Sequence, residues 1–299
     1  MILLDLAGPA WEVVVVTALG LIFGSFANVC IHRLPDRRSV VWPGSACSSC
    51  GAPIGWYDNI PILSWLVLGG KCRSCRGSIS LLYPLVEAAA AALLLALYAR
   101  HGLGLRWAAL SYLVLSILVL VPIDFRHGIL PDRVTLPGIA VGLAHSFFTT
   151  APGPFGSAAG ALVGALVPLG IRALYMLYAR ARSARQEGAA GLAQTEPLDD
   201  AEMEAEAELA AQRREGMGLG DVKMLAMVGA FLGVPMVLLT MLLGSVIGTL
   251  YVLPMLLLGR HTLKTPLPFG PFLGAGAILC IFWGPPIIEW YTGLLVSVH

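Results

Sequence analysis

The stretch Gly216-Met217-Gly218-Leu219-Gly220-Asp221-Val222-Lys223-Met224-Leu225-Ala226-Met227-Val228-Gly229-Ala230-Phe231-Leu232 joins a charge-rich segment to an apolar run. Asp221 therefore stands at the entrance to a hydrophobic span, where an ionisable side chain is costly. The glycines before it permit close backbone approach or positive φ. A second carboxylate, Asp124, closes the run Val121-Pro122-Ile123-Asp124-Phe125. Two carboxylates that come close enough to share a proton make an acid–base dyad. The two can meet only if both runs end on the same side of a membrane.

The composition puts a membrane there. Of 299 residues, 57% are hydrophobic and only 12% charged, about half the charge of a soluble domain. The formal net charge of +1 says nothing about partners. No basic-aromatic patch for nucleic acid, no nucleotide-binding glycine loop after a strand and no internal repeat is present. Asp5 and Glu12 flank the start of the first apolar run without a basic leader region, so that run reads as a permanent span rather than a cleaved signal.

About eight spans follow from the need for roughly 20 apolar residues per crossing: 11–31, 81–99, 107–123, 134–150, 157–178, a short one from Asp221 to Leu232, 235–258 and 270–296. Basic residues orient them. Arg33, Arg37, Arg38, Lys71, Arg73 and Arg76 lie in 32–80, and Arg126 and Arg133 in 124–133. Arg180, Arg182, Arg185, Arg213, Arg214 and Lys223 lie in 179–223, and Arg260 and Lys264 in 259–269. The opposite loops hold Arg100 and Arg106. The positive-inside rule makes the rich side cytoplasmic, with both termini outside and with Asp124 and Asp221 on one face.

Cys47, Cys50, Cys72 and Cys75 form two C-x2-C pairs in the polar loop 32–80. Four thiolates in that pattern suit one tetrahedral, coordinatively closed and hence structural zinc ion. The bland alternative is two reduced or redox-active pairs. Cys30 and Cys280 fall in apolar runs and read as small buried residues. Segment 183–212 is rich in Ala, Glu and Gln, and reads as a solvated linker with helical tendency.

Each candidate has an ordinary reading too. Asp221 suits the N-cap of a helix starting at Val222, and Asp124 suits the water interface. Asp132, after Pro131, reads as the N-cap of the fourth span. Glu87 lies inside the second span and must face protein or a polar cavity, as a functional group or as an interhelical hydrogen bond. Lys223 can tune a dyad, meet substrate or snorkel. His32 and His127 read as interfacial.

Taken in order, the motifs resemble the bacterial prepilin peptidases, bifunctional type IV leader peptidases and N-methyltransferases. They are Gly24-Ser25-Phe26-Ala27-Asn28-Val29 with Arg33-Leu34-Pro35, the CxxC pairs, Trp56-Tyr57-Asp58-Asn59-Ile60-Pro61 and Tyr83-Pro84-Leu85-Val86-Glu87. Ile123-Asp124, Leu130-Pro131-Asp132, the GxGD stretch and Pro268-Phe269-Gly270-Pro271-Phe272 complete the series. The resemblance implies an all-α inner-membrane aspartic peptidase with Asp124 and Asp221 as its catalytic pair. Gly218, Gly220, Lys223 and Glu87 are candidates around the substrate. It also implies prepilin or pseudopilin substrates of type IV pili or type II secretion, cut after a glycine, and S-adenosylmethionine-dependent methylation of the new N-terminus. The cysteine-bearing loop goes with methylation; Gly70, Lys71 and Glu87 are candidates for the methyl donor. The implied division is a first span (1–31), the cysteine loop (32–80) and a peptidase domain (81–299) with a linker at 179–217. The linker is longer than the resemblance leads one to expect. Two other readings stay open: a non-catalytic transporter or scaffold with a zinc module, and a peptidase that has lost methylation.

Overall fold

The structure, a computed structural model, describes residues 9–190, 218–258 and 268–297. Gly216, Met217, most of the acidic linker and the basic residues Arg213, Arg214, Arg260 and Lys264 lie outside the described residues. The described residues form helices joined by turns, with two isolated β-bridges and no strand. The helices are α1 (Ala10–Arg33), α2 (Leu63–Val67), α3 (Leu82–His101), α4 (Leu105–His127), α5 (Asp132–Ser146), α6 (Gly153–Ala190), α7 (Leu219–Leu232), α8 (Val234–Leu257) and α9 (Gly270–Ser297). All but α2 occupy the eight expected spans. Residues 183–190 continue α6 rather than starting a linker.

Six of these helices are long and apolar enough to cross a membrane; α5 and α7 are not. At 1.5 Å per residue the fourteen residues of α7 reach about 21 Å, short of the roughly 30 Å hydrocarbon core. Ten of those fourteen are buried. The short helix sits among α4, α5, α6, α8 and α9, so most of its surface meets protein rather than lipid, and that arrangement removes the length requirement.

Small residues set the packing, as they must where lipid offers no hydrophobic drive. A Cβ on Gly160 or Gly164 would overlap the backbone of Gly229 or Leu225, and one on Gly229 would overlap Gly160. α6 and α7 therefore touch backbone to backbone. Gly20 and Gly24 of α1 press likewise on Ala91 and Glu87 of α3. The main core joins α4, α7 and α9 through Leu113, Ile117, Leu120, Met224, Met227 and Leu273.

Candidate active site and metal centre

Asp124 lies in the last turn of α4. That helix stops at Gly128, whose φ of 64° is the left-handed cap, and the Gly128 amide closes on the Asp124 carbonyl at 2.8 Å. The chain then drops Leu130 onto Gly220, where a Cβ would lie 2.8 Å from that of Leu130. Any side chain at 220 would push the α4–α5 turn away from the start of α7. Gly220 is thus needed for close approach, and it is what lets the ends of α4 and α7 converge. Gly218 has ordinary extended backbone (φ −66°), and a Cβ there would meet Asp221 Oδ2 at 3.7 Å, an ordinary van der Waals contact, so neither freedom is required there.

Asp221 is not the N-cap. α7 begins at Leu219 with Gly218 as cap, because the backbone reaches helical geometry one turn earlier than the apolar pattern. Asp221 then occupies the third helical position and its carboxylate turns back to the Gly218 amide, in the manner of a capping box. Nor does Asp132 cap α5; Pro131 holds the cap position and Asp132 is the first helical residue.

The carboxylates of Asp124 and Asp221 are both buried, at 5% and 7% exposure, and close enough to feel one another's charge. A third element fixes the first: the Gly270 amide, at the start of α9, donates to Asp124 Oδ2 at 3.0 Å. A Cβ at Gly270 would lie 2.9 Å from the Asp124 carboxyl carbon. The Pro268–Phe272 run is thus the wall of this site. Lys223 instead turns to Asp132, its Nζ 2.6 Å from Oδ1.

The four cysteines lie in two matching turns between α1 and α3. In the first, the Cys47 amide donates to the Ala52 carbonyl and Gly51 to Cys47; in the second, Cys72 donates to Gly77 and Arg76 to Cys72. The amides of Ser49 and Gly77 point at the sulfurs of Cys47 and Cys75, each at 3.4 Å. All four Sγ atoms lie within 4.8 Å of one another; tetrahedral zinc with 2.3 Å bonds sets them about 3.8 Å apart. The donor set and its spacing fit that ion. Backbone amides of Cys50 and Ser49 pull the Cys47 thiol down, while the neighbouring thiols hold Cys75 up.

Beyond the cysteines the loop is tied by a bidentate pair, Arg73 Nε and Nη2 to Asp58 at 2.7 and 2.6 Å. The Arg73 guanidinium holds the Asp58 carboxyl below the usual carboxylate range. Glu87 anchors the loop to the spans: buried in α3, its Oε2 accepts the Ile62 amide at 2.7 Å and its carboxylate meets Ser25 of α1. Ile62 holds φ at +60° there, a strained value for a β-branched residue. One turn along the same seam, Asn28 Nδ2 donates to the Tyr83 carbonyl at 3.0 Å, while its Oδ1 is buried without a partner. Gly70, with φ +67° and the Trp65 ring against it, serves the loop's own packing. Lys71 is exposed.

The structure therefore brings together Asp124, Asp221, Gly220 and Gly270, and keeps Lys223 on Asp132 and Glu87 at the loop. Sequence reasoning missed Gly270 as the partner of Asp124, and Arg73 with Asp58. All three stood in or beside quoted motifs, but nothing in their spacing showed which residue each would meet.

Comparison with known proteins places this arrangement. Residues 18–101 match the Bacterial Peptidase A24 N-terminal domain and residues 111–253 match the Type IV leader peptidase family. The chain belongs to the type IV leader peptidase family. Relatives carrying the name prepilin leader peptidase/N-methyltransferase include one from Pseudomonas aeruginosa, 34% identical over 91% of both chains. Another is from Pseudomonas putida, 32% identical over 93% of both, and a third from Aeromonas salmonicida, 32% identical over 99% of both. No solved structure matches the chain. Family membership embraces both halves, the cysteine loop in the first and the aspartates in the second, in a multi-pass helical membrane protein.

Proposed function

We propose that this chain cleaves the basic leader from type IV prepilins and pseudopilins after a glycine, with Asp124 and Asp221 as the catalytic pair, and then methylates the new N-terminus. The supporting observation is the meeting of two buried carboxylates, nearly a hundred positions apart, at one end of the bundle. The excess of basic residues at that end favours the cytoplasmic face of a bacterial inner membrane. A leader held there by its charge, followed by a helix in the bilayer, brings its scissile bond to the depth of the pair.

One aspartate, ionised, takes a proton from water as the oxygen attacks the scissile carbonyl; the other, protonated, gives its proton to the carbonyl oxygen. Collapse of the tetrahedral intermediate passes the first proton to the leaving amine. The pair titrates as a unit, so either residue can begin as the base. Gly270 and Gly218 orient the two carboxylates through their amides. S-adenosylmethionine, when bound, would supply an electrophilic methyl for the freed amine, with a proton lost from nitrogen and the thioether as leaving group. Of the three donor candidates, Glu87 reaches the interior, beside the unpartnered Asn28 Oδ1; these two acceptors suit an ammonium. The zinc that the four thiolates fit has a closed shell and serves to hold the loop.

The test is prepilin cleavage in membranes by wild type, Asp124→Asn and Asp221→Asn, read by mass spectrometry. Wild type cuts after the leader glycine and adds one methyl; each variant, inserted and folded, loses about 10²- to 10⁴-fold in rate. One variant that cuts normally removes its residue from the pair and turns the search for the partner carboxylate to Asp132 or Glu87; processing that neither substitution affects favours a transporter or scaffold. A cut product without the added methyl identifies a peptidase alone.

A further inference from the structure

Within the cysteine loop, Ile60-Pro61-Ile62-Leu63-Ser64-Trp65-Leu66-Val67-Leu68 is apolar but for Ser64. It is not folded into a core: Leu63, Leu66 and Val67 are exposed, the last two at 61% and 74%. A run this apolar on the outside marks a contact surface. Its polar atoms are satisfied from within. Ser64 Oγ accepts the Ile60 amide and donates to the Tyr57 carbonyl, each at 3.0 Å. The amides of Ser64, Leu66 and Leu68 donate to the carbonyls of Ile60, Ile62 and Ser64, and Trp65 Nε1 donates to that of Ile79. Backbone bonded internally, with apolar side chains outside, is what a segment at membrane depth requires.

The Glu87 anchor fixes the depth. The Ile62 amide meets the Glu87 carboxylate, which lies beside Ser25. Ser25 is about 12 Å inside the end of α1 at Arg33, and Glu87 about 8 Å inside the start of α3 at Leu82. Arg33 turns out to the Ser39 and Gly44 carbonyls and so marks the polar edge. The glutamate side chain leans toward the start of its own helix, which leaves Ile62 roughly 5–10 Å on the bilayer side of that edge. From this low point α2 rises to Gly70, whose carbonyl takes the Ile79 amide just ahead of α3.

The anchor also fixes the side. Successive residues turn about 100° around α1, so Ser25 and Ala27 point about 160° apart. Ala27 and Ile31 pack toward Val119 and Ile123 of α4. Ser25, and Ile62 with it, therefore lies on the face of the α1–α3 pair turned away from α4, through which that pair joins the rest of the bundle. Phe26 and Leu85, one and two residues from Ser25 and Glu87, are exposed as well, so the apolar surface of residues 60–68 is continuous with that of the spans.

We infer that residues 60–68 form a re-entrant wedge, seated in the acyl-chain edge of the leaflet next to the cysteine loop, with Leu63, Leu66 and Val67 against lipid. The Glu87–Ile62 bond holds the wedge at its depth, which matches the roughly 5–10 Å typical of interfacial helices. Trp56 and Tyr57, just ahead of it, are exposed aromatics suited to the headgroup level. The cysteine turns are thereby held down on the membrane surface.

The experiment uses the full chain with photoreactive benzoylphenylalanine in place of Leu66, reconstituted in vesicles of phosphatidylethanolamine and phosphatidylglycerol. After irradiation, intact mass and fragmentation identify what the probe has joined. Acyl-chain adducts are expected within about threefold of the yield from a probe replacing Leu162, on the exposed face of α6, and at least about tenfold above that from a probe replacing Ser48 in the first cysteine turn, as insertion to that depth requires. With the probe moved to Val67, Leu66→Asp is expected to lower lipid adducts at least about fivefold, since a carboxylate is costly there. A yield at position 66 no higher than at position 48 puts the segment in water and overturns the inference. Adducts joining two copies of the chain in place of lipid overturn it in favour of a protein interface, and adducts that form only with added prepilin do so in favour of a substrate surface. Should the probe at 66 prevent folding, the probe at Val67 decides by the same comparison. No reading needs turnover, so the result stands or falls apart from the peptidase reading above.

Discussion

Gly270 shows how much one missing methyl can matter. Its amide orients Asp124, and a Cβ there would crowd the carboxylate it holds. Gly270→Ala is expected to lower prepilin cleavage at least about tenfold with the fold intact, since displacing a reacting group by a fraction of an ångström costs that much or more. Circular dichroism together with turnover checks it. Gly218 makes the contrast: Gly218→Ala is expected to cost less than about twofold, because its extended backbone suits alanine and the new Cβ would only touch Asp221 Oδ2, at 3.7 Å, without overlap. Equal losses at 218 and 270 would remove the steric argument. Lys223 and Asp132 pair at the surface, half-exposed, and such pairs contribute about 0–1 kcal/mol.

Among the elements, the α6–α7 crossing and the cysteine loop carry the clearest consequences. Gly229 and Gly160 let two backbones touch, so Gly229→Leu is expected to destabilise the bundle by about 1–3 kcal/mol or more through overpacking, read as a lower midpoint in detergent unfolding. The Arg73–Asp58 pair and the Glu87–Ile62 bond hold the loop, and the proposed zinc would join its two cysteine turns. Metal analysis is expected to find one zinc per chain; chelation is expected to open the loop to protease between 46 and 79 while the spans keep their helicity. The Asp58 carboxyl is depressed in the folded loop, so its contribution is full above the unfolded value of about 4 and is lost as pH falls through the lower folded value. Protease resistance of the loop is expected to decline in that acidic window for wild type. Asp58→Asn removes that component of the decline.

At the scale of the whole molecule, a buried short helix lies inside a ring of longer ones. α7 carries Asp221 and too few residues to span, yet ten of them are enclosed by protein. This enclosure keeps water-sensitive acid–base groups at one end while the lipid-facing helices do the spanning. The Glu87 anchor ties the loop to α1 and α3, on the other side of α4 from the α9 wall. Glu87→Gln keeps the acceptor for the Ile62 amide but removes charge. It is expected to leave cleavage within about threefold and to reduce methylation at least tenfold, an effect the size of losing one charge-assisted hydrogen bond. The product's intact mass measures both at once.

The sequence by itself determined that the chain is a helical membrane protein with eight apolar segments, because hydropathy and span length are local properties. It offered the four cysteines of the loop as a candidate ligand set too, since C-x2-C turns are built from neighbours in the chain. It placed Asp124 and Asp221 at membrane edges and, through charge bias, on one face. Only the tertiary structure decided that α5 and α7 need not span, that Gly220 rather than Gly218 is the close contact, and that Lys223 belongs to Asp132. It alone set Gly270 against Asp124. Each of those depends on which helix lies next to which, and in a bilayer that choice rests on backbone-to-backbone fit at scattered small residues, a complementarity between distant segments that no single stretch of sequence contains.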